Sequence, residues 1–180
     1  MTENLVAVGF KKLAPGAIIP TKAHITDSGF DLYAAERVVV YPEATVVVNT
    51  GIAAVLPPGY DATIRNRSGI TSRTSLRVQL GTIDNSYRGA LGIMLDNTHP
   101  ILDKRGEVLF SNTLLNVKEE VVEVNEAVYP LGSYVIEAGD KIAQLVIHPI
   151  PKVVAFEITE EEELGETERG AAGFGSTGTA

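Results

Sequence analysis

The sequence contains no cysteine, which excludes a disulfide framework and any thiolate metal site. Its 3 histidines, His24, His99 and His148, are scattered without ligand spacing and give no metal signal. Apolar runs stop well short of the roughly 20 residues that cross a bilayer, and no signal-peptide pattern opens the chain. A cytoplasmic protein without a membrane partner is therefore expected. Positive charge is scarce, with 15 Lys and Arg against 23 Asp and Glu for a net charge of −8. Duplex nucleic acid draws its affinity mainly from neutralised phosphates, so direct nucleic-acid binding is not expected. A small anion remains compatible, because a few local cations and oriented N–H groups hold one against the overall field. The P-loop and Rossmann fingerprints are missing. No Ser-His-Asp or Cys-His arrangement suggests a covalent mechanism.

What the chain does contain is short β-rich runs broken by Gly, Pro, Asn and Asp. The clearest are 38–41, 45–48, 60–64 and 142–147. Many short strands at close spacing predict an all-β barrel or jelly-roll-like sandwich. Only 68–75 has the pattern of a short helical turn. The 180 residues suit one domain, placed at 1–156, with an elaboration at about 98–132 that reads as an extra hairpin. From 157 the chain turns acidic through Glu160, Glu161, Glu162 and Glu163 and ends in a Gly-rich arm. Such a tail is ordinarily solvated and mobile. Arg169 and Phe174, isolated among small residues, instead suit anchors on an arm that orders over a ligand.

Five segments carry the chemistry. In 81–89, Asp84 and Tyr87 sit on a glycine-bounded turn between two apolar runs, 76–80 and 91–95, which reads as a β-hairpin. Taken alone, Asp-Asn-Ser there is ordinary turn chemistry. In 65–71, Arg67, Ser68 and Gly69 fall where a strand gives way to a helical turn. Free N–H groups, a hydroxyl and a guanidinium there suit a phosphate, although Ser68 as a simple cap is the plainer reading. In 27–34, Asp31 enters a strand, where an inward carboxylate is costly without partners. In 139–144 a turn leads into an alternating strand carrying Gln144. The last segment is 169–178.

In this order, residues 27–35, 67–71, 81–89, 139–144 and 169–178 resemble the five motifs of the homotrimeric dUTPases. The segment between the third and fourth resembles the insertion of dUTPases from phages infecting Gram-positive bacteria. The resemblance implies a jelly-roll, β-clip barrel with at most one short helix and a flexible C-terminal arm. It implies hydrolysis of dUTP to dUMP and pyrophosphate, with Mg²⁺ held by the triphosphate and waters rather than by a protein ligand cluster. It further implies a homotrimer whose sites are shared between subunits. By resemblance, Asp84 holds and activates the attacking water and contacts the sugar 3′-hydroxyl, and Tyr87 packs beneath the deoxyribose. Arg67, Ser68, Gly69 and Gln144 bind phosphates, and Asp31 plays a supporting role near the metal-bound water. Arg169, Gly175, Ser176 and Thr177 close on the distal phosphates while Phe174 covers the uracil ring. Many members carry asparagine six residues before the third-motif aspartate, where this chain has Val78. Uracil selection is then expected from backbone groups around Thr82, Ile83 and Gly92. A dCTP deaminase of the same fold is the alternative enzyme, and the insertion is a candidate contact for a host regulatory protein.

Overall fold

The computed structural model describes residues 5–125, 127–159 and 168. Two compact units divide the chain, Met1–Ile150 and Pro151–Ala180. In the second, the described residues 151–159 form no helix or strand.

The first unit is almost entirely β. Its opening strands are β1 (Gly9–Lys12), β2 (Gly29–Tyr33), β3 (Val38–Val40), β4 (Thr45–Asn49), β5 (Ile52–Val55) and β6 (Tyr60–Asn66). A single short helix, α1 (Ser68–Thr71), is the one helix among the described residues. Then come β7 (Leu76–Val78), β8 (Gly81–Ile83) and β9 (Gly92–Asn97), followed by β10 (Phe110–Ser111), β11 (Thr113–Leu115), β12 (Val121–Glu123) and β13 (Tyr129–Pro130). The last two are β14 (Tyr134–Ile136) and β15 (Lys141–Pro149). The expected strands at 38–41, 45–48, 60–64 and 142–147 correspond to β3, β4, β6 and β15. Each is rich in β-branched residues that pack well on a pleated surface.

Two sheets position the candidate site. One runs β2-β15-β6-β8 and the other β4-β9-β7. Their inner faces bury Leu32, Ala62, Ile64, Ala143 and Leu145 from the first, and Val48, Leu76, Ile93 and Leu95 from the second. Alternation along β6 is clean: Ala62 and Ile64 point inward, while Asp61, Thr63 and Arg65 are more exposed. One face is thus committed to the core and the other is left for polar chemistry.

The insertion is built into the fold. The hairpin β11–β12 joins the sheet β12-β11-β14-β3 through the parallel pair Leu115↔Tyr134. Leu114 is 1% exposed, and Leu115 and Val117 pack against the main core. Asn97, itself buried, ties the two ends of the insertion together. Its amide donates to the Val40 carbonyl at 3.1 Å and the Gly132 carbonyl at 2.9 Å, and its Oδ1 accepts from the His99 N–H at 3.0 Å. Burying that amide is tolerable because its hydrogen-bonding groups are matched.

Candidate active site

Arg67 is the N-cap position of α1, extended at φ −93° and ψ 126°, with no side-chain cap. Ser68 is therefore the first helical residue rather than the cap, and its hydroxyl is not spent on capping. The N–H groups of Ser68 and Gly69 belong to the first turn of a helix, where no intrahelical acceptor exists.

Asp31 organises this end of the sheet. It is 5% exposed. Its Oδ1 accepts from Arg67 Nε at 2.9 Å, and its Oδ2 pairs with Lys141 Nζ at 3.0 Å. Arg67 Nη1 also donates to the Lys141 carbonyl at 3.1 Å. Burial alone would raise the Asp31 carboxyl. The hydrogen bond from Lys141 and the nearby Arg67 charge outweigh it and hold the group below the ordinary carboxylate range. The same hydrogen bond raises Lys141. Lys141 owes its place to the turn before it. Gly139 adopts φ 92°, a left-handed conformation that favours glycine, and its N–H donates to the Ala34 carbonyl at 2.8 Å. Gln144 lies in register with both Asp31 and Arg65, so three strands meet at this level.

The paired Asp31 gives a direct prediction. Asp31→Asn leaves two cations with a neutral partner, and should cost about 1–2 kcal/mol at neutral pH. That is less than for a fully buried pair, because Lys141 is partly solvated. Since the folded carboxyl is depressed, its contribution is complete above the unfolded value of about 3.9 and fades as pH falls through the folded value. Thermal melts of the two proteins should therefore differ at pH 7 and converge on acidification. A constant difference would mean the Asp31 charge is not what stabilises.

Arg67, Arg73, Lys118 and Lys141 line a cleft of 430 Å³ together with Gly69 and Asp140. Four cations thus outnumber the Asp140 and Asp31 carboxylates beside them in a chain of net charge −8. That local reversal of sign suits a compact polyanion.

The third segment sits elsewhere. β7 and β9 pair through Leu76↔Asn97, Arg77↔Asp96 and Val78↔Leu95, which is the expected hairpin. The Gln79 N–H still reaches the Met94 carbonyl at 2.9 Å. The strands then splay, and β8 adds to β6 instead, with Ile83↔Ala62, Thr63↔Thr82 and Ile64↔Gly81. Among the described residues, the outer edge of β8 has no strand partner, nor has the β7-side edge of β9 at Gly92. Both edges keep backbone N–H and C=O groups for a planar hydrogen-bonding ligand. Val78 is 6% exposed and belongs to the core. Its N–H is held by Asn66 Oδ1 at 2.7 Å.

Beyond β8, Asn85 pins the loop, donating to the Pro57 carbonyl at 2.7 Å and the Tyr60 carbonyl at 2.8 Å. Tyr87 folds back so that its hydroxyl donates to the Ala90 carbonyl at 2.9 Å. A side chain at residue 89 would collide with that ring, since a Cβ there would lie 2.6 Å from Tyr87 Cζ. Gly89 is what lets the phenol take this position. Asp84 is exposed, and among the described residues its carboxylate makes no hydrogen bond or ion pair. It is held in place by its neighbours and left free for a ligand.

The model of the dUTPase family matches residues 16–101 and 128–178. The chain belongs to the dUTPase family. A deoxyuridine 5′-triphosphate nucleotidohydrolase of Picosynechococcus sp. is 38% identical over 170 residues, covering 93% of this chain and 96% of that protein. Its counterpart in Anaplasma marginale is 34% identical over 97% of this chain and 100% of its own length. The Staphylococcus bacteriophage 80alpha dUTPase, solved with dUpNHpp, superposes with a TM-score of 0.86 at 38% identity, covering 96% of this chain and 99% of that one. A dUTPase of phage phi11 of S. aureus, described with a coordinated structural Mg(II) ion, gives 0.79 at 33% identity over 87% of this chain and 99% of that one. The internal gap in the family match, 102–127, falls within the insertion.

Against the dUTPase motifs, the structure gathers Asp31, Arg67, Ser68, Gly69 and Gln144 at one end of the β2-β15-β6-β8 sheet. Thr82, Ile83, Asp84 and Tyr87 lie at the other, with Gly92 across the splayed hairpin. Ile83 pairs with Ala62, so Asp84 lies level with Asp61, six strand steps from Arg67. At roughly 3.3 Å per step that is about 20 Å. Arg169, Phe174, Gly175, Ser176 and Thr177 lie outside the described residues. Sequence reasoning missed Arg73, Lys118, Lys141 and Asn85. Lys141 was adjacent to a recognised turn and Asn85 lay within one, but Arg73 and Lys118 carried no local signal.

Proposed function

We infer that the chain is a dUTP diphosphatase in which water, oriented by Asp84, attacks the α-phosphorus in line. A new P–O bond forms to the water oxygen, the bridging α–β bond breaks, and pyrophosphate leaves. The proton of the attacking water passes to the Asp84 carboxylate and on to solvent. The observation that carries the reading is the pairing of an unengaged Asp84, beside a backbone-fixed Tyr87, with a cationic cleft ending at Arg67. Arg67 and the Ser68 and Gly69 N–H groups bind the phosphates, with Gln144 beside them and Asp31 holding the guanidinium. Tyr87 supports the deoxyribose. Backbone edges of Thr82, Ile83 and Gly92 bind uracil, a role that the buried Val78 does not share.

Mg²⁺ bound to the nucleotide neutralises phosphate charge in the transition state. A cleft lined by four cations fits an ion carried in on the triphosphate rather than one held by protein carboxylates. The roughly 20 Å of β6 separating the level of Asp84 from Arg67 supports a homotrimer with shared sites, because a water-orienting group has to bring reacting atoms within about 3–3.5 Å. Arg169, Gly175, Ser176 and Thr177 close over the distal phosphates and Phe174 over the base, from the C-terminal arm. The fitting location is cytoplasmic. The insertion's exposed Phe110, Val121 and Val128 support a second role as a contact for a regulatory protein.

Incubation with dUTP and with dCTP tests the reaction. The expected result is pyrophosphate and dUMP from dUTP. Ammonia released from dCTP would instead assign a deaminase.

A further inference from the structure

The insertion reaches the phosphate end of the site. We propose that Lys118, at the tip of the β11–β12 hairpin, binds the terminal phosphates of the nucleotide, making the insertion part of substrate recognition. This rests on the reading of the chain as a dUTP diphosphatase. Lys118 lines the same cleft as Arg67, Arg73 and Lys141.

Its mount is ordered. Asn116 Oδ1 accepts the N–H groups of Lys118 at 2.8 Å and Glu120 at 2.9 Å. The Glu119 N–H closes the turn onto the Asn116 carbonyl at 3.0 Å, and the neighbouring Val117 packs against the main core. The charge of Lys118 is only partly offset, by Asp140, which lines the same cleft and feels it electrostatically without forming an ion pair. The adjacent Glu120 carboxylate accepts from Asn116 Nδ2 at 2.8 Å, and Lys118 makes no ion pair among the described residues. Arg67 and Lys141, by contrast, share the single Asp31 carboxylate as an ion-pair partner. The four cations of the cleft thus outnumber the Asp31 and Asp140 carboxylates beside them, with Lys118 and Arg73 in no ion pair among the described residues, and that surplus of positive charge favours binding of a polyanion.

Calorimetric titration of wild type, Lys118→Ala and Lys118→Arg with dUpNHpp and with dUMP tests the proposal. Loss of a charge-assisted contact should weaken dUpNHpp about tenfold in Lys118→Ala. Binding of dUMP, which lacks the terminal phosphates, should change by less than about twofold. Lys118→Arg should recover most of the loss. Unchanged dUpNHpp affinity, or equal losses for both ligands, overturns the proposal. The underlying reading is checked separately by pyrophosphate release from dUTP by the wild type. If that release is seen and Lys118→Ala binds dUpNHpp normally, only the role of Lys118 falls.

Discussion

Asp84→Asn should keep the nucleotide bound and lower turnover by roughly 10²–10⁴-fold, the range that positioned proton transfer contributes. The substitution is nearly isosteric, so it retains a hydrogen-bonding group where the proposed site places the sugar 3′-hydroxyl. It removes the charge that, in the proposed mechanism, orients water and accepts its proton. Folding should be indifferent, because the Asp84 carboxylate is exposed and makes no bond among the described residues. The loop is fixed instead by the Asn85 amide against the Pro57 and Tyr60 carbonyls and by the Tyr87 hydroxyl on Ala90. Pyrophosphate release measures turnover, and titration with dUpNHpp measures binding. Turnover like that of the wild type would remove Asp84 from the mechanism. Loss of binding equal to loss of turnover would make it a ground-state contact instead.

The contrast between Asp84 and Asp31 shows which parts of the site were legible in the sequence. Both are aspartates beside strands, and local sequence gives both a turn or strand-entry role. That an inward Asp31 needed partners followed from the cost of burying a carboxylate. Those partners, Arg67 and Lys141, come from positions 36 and 110 residues further along the chain. Only the register of β2 on β15 and the position of α1 after β6 bring them together. Hairpin pairing of β7 with β9 was legible because apolar alternation runs through both strands. Its splaying was not, because the departure of β8 depends on a free edge of β6 supplied by the rest of the sheet. Val78 was marked by what it is not, an asparagine. Its structural position gives a physical reason for keeping its side chain out of the proposed uracil site: it is a core residue. Lys118 and Arg73 had no legible signal at all, since an exposed cation in a loop reads as ordinary surface.

The separation of Asp84 from Arg67 predicts the other large effect, recovery of activity from two inactive chains. Arg67→Ala removes a guanidinium from the phosphate end and should cost about 10²–10³ in turnover, as for other preorganised charge-stabilising groups. Its fold should survive, because Lys141 still pairs with Asp31 at 3.0 Å. Asp84→Asn fails for the separate reason given above. If each site takes Arg67 from one subunit and Asp84 from its neighbour, a mixed trimer contains sites with both wild-type residues. Random assortment of equal amounts makes about one site in four intact, so co-refolded mixtures should regain roughly a quarter of wild-type turnover. Each variant refolded alone should stay inactive, as should the two mixed as preformed trimers that do not exchange subunits. Failure of the co-refolded mixture to regain activity, with mixed trimers demonstrated by mass spectrometry, would mean that both residues act from one chain. The roughly 20 Å along β6 would then have to close by a rearrangement of the sheet itself, at the expense of the Ile83↔Ala62 and Thr63↔Thr82 pairs. The shared site demands no such rupture, because it asks a neighbouring subunit to supply the missing carboxylate.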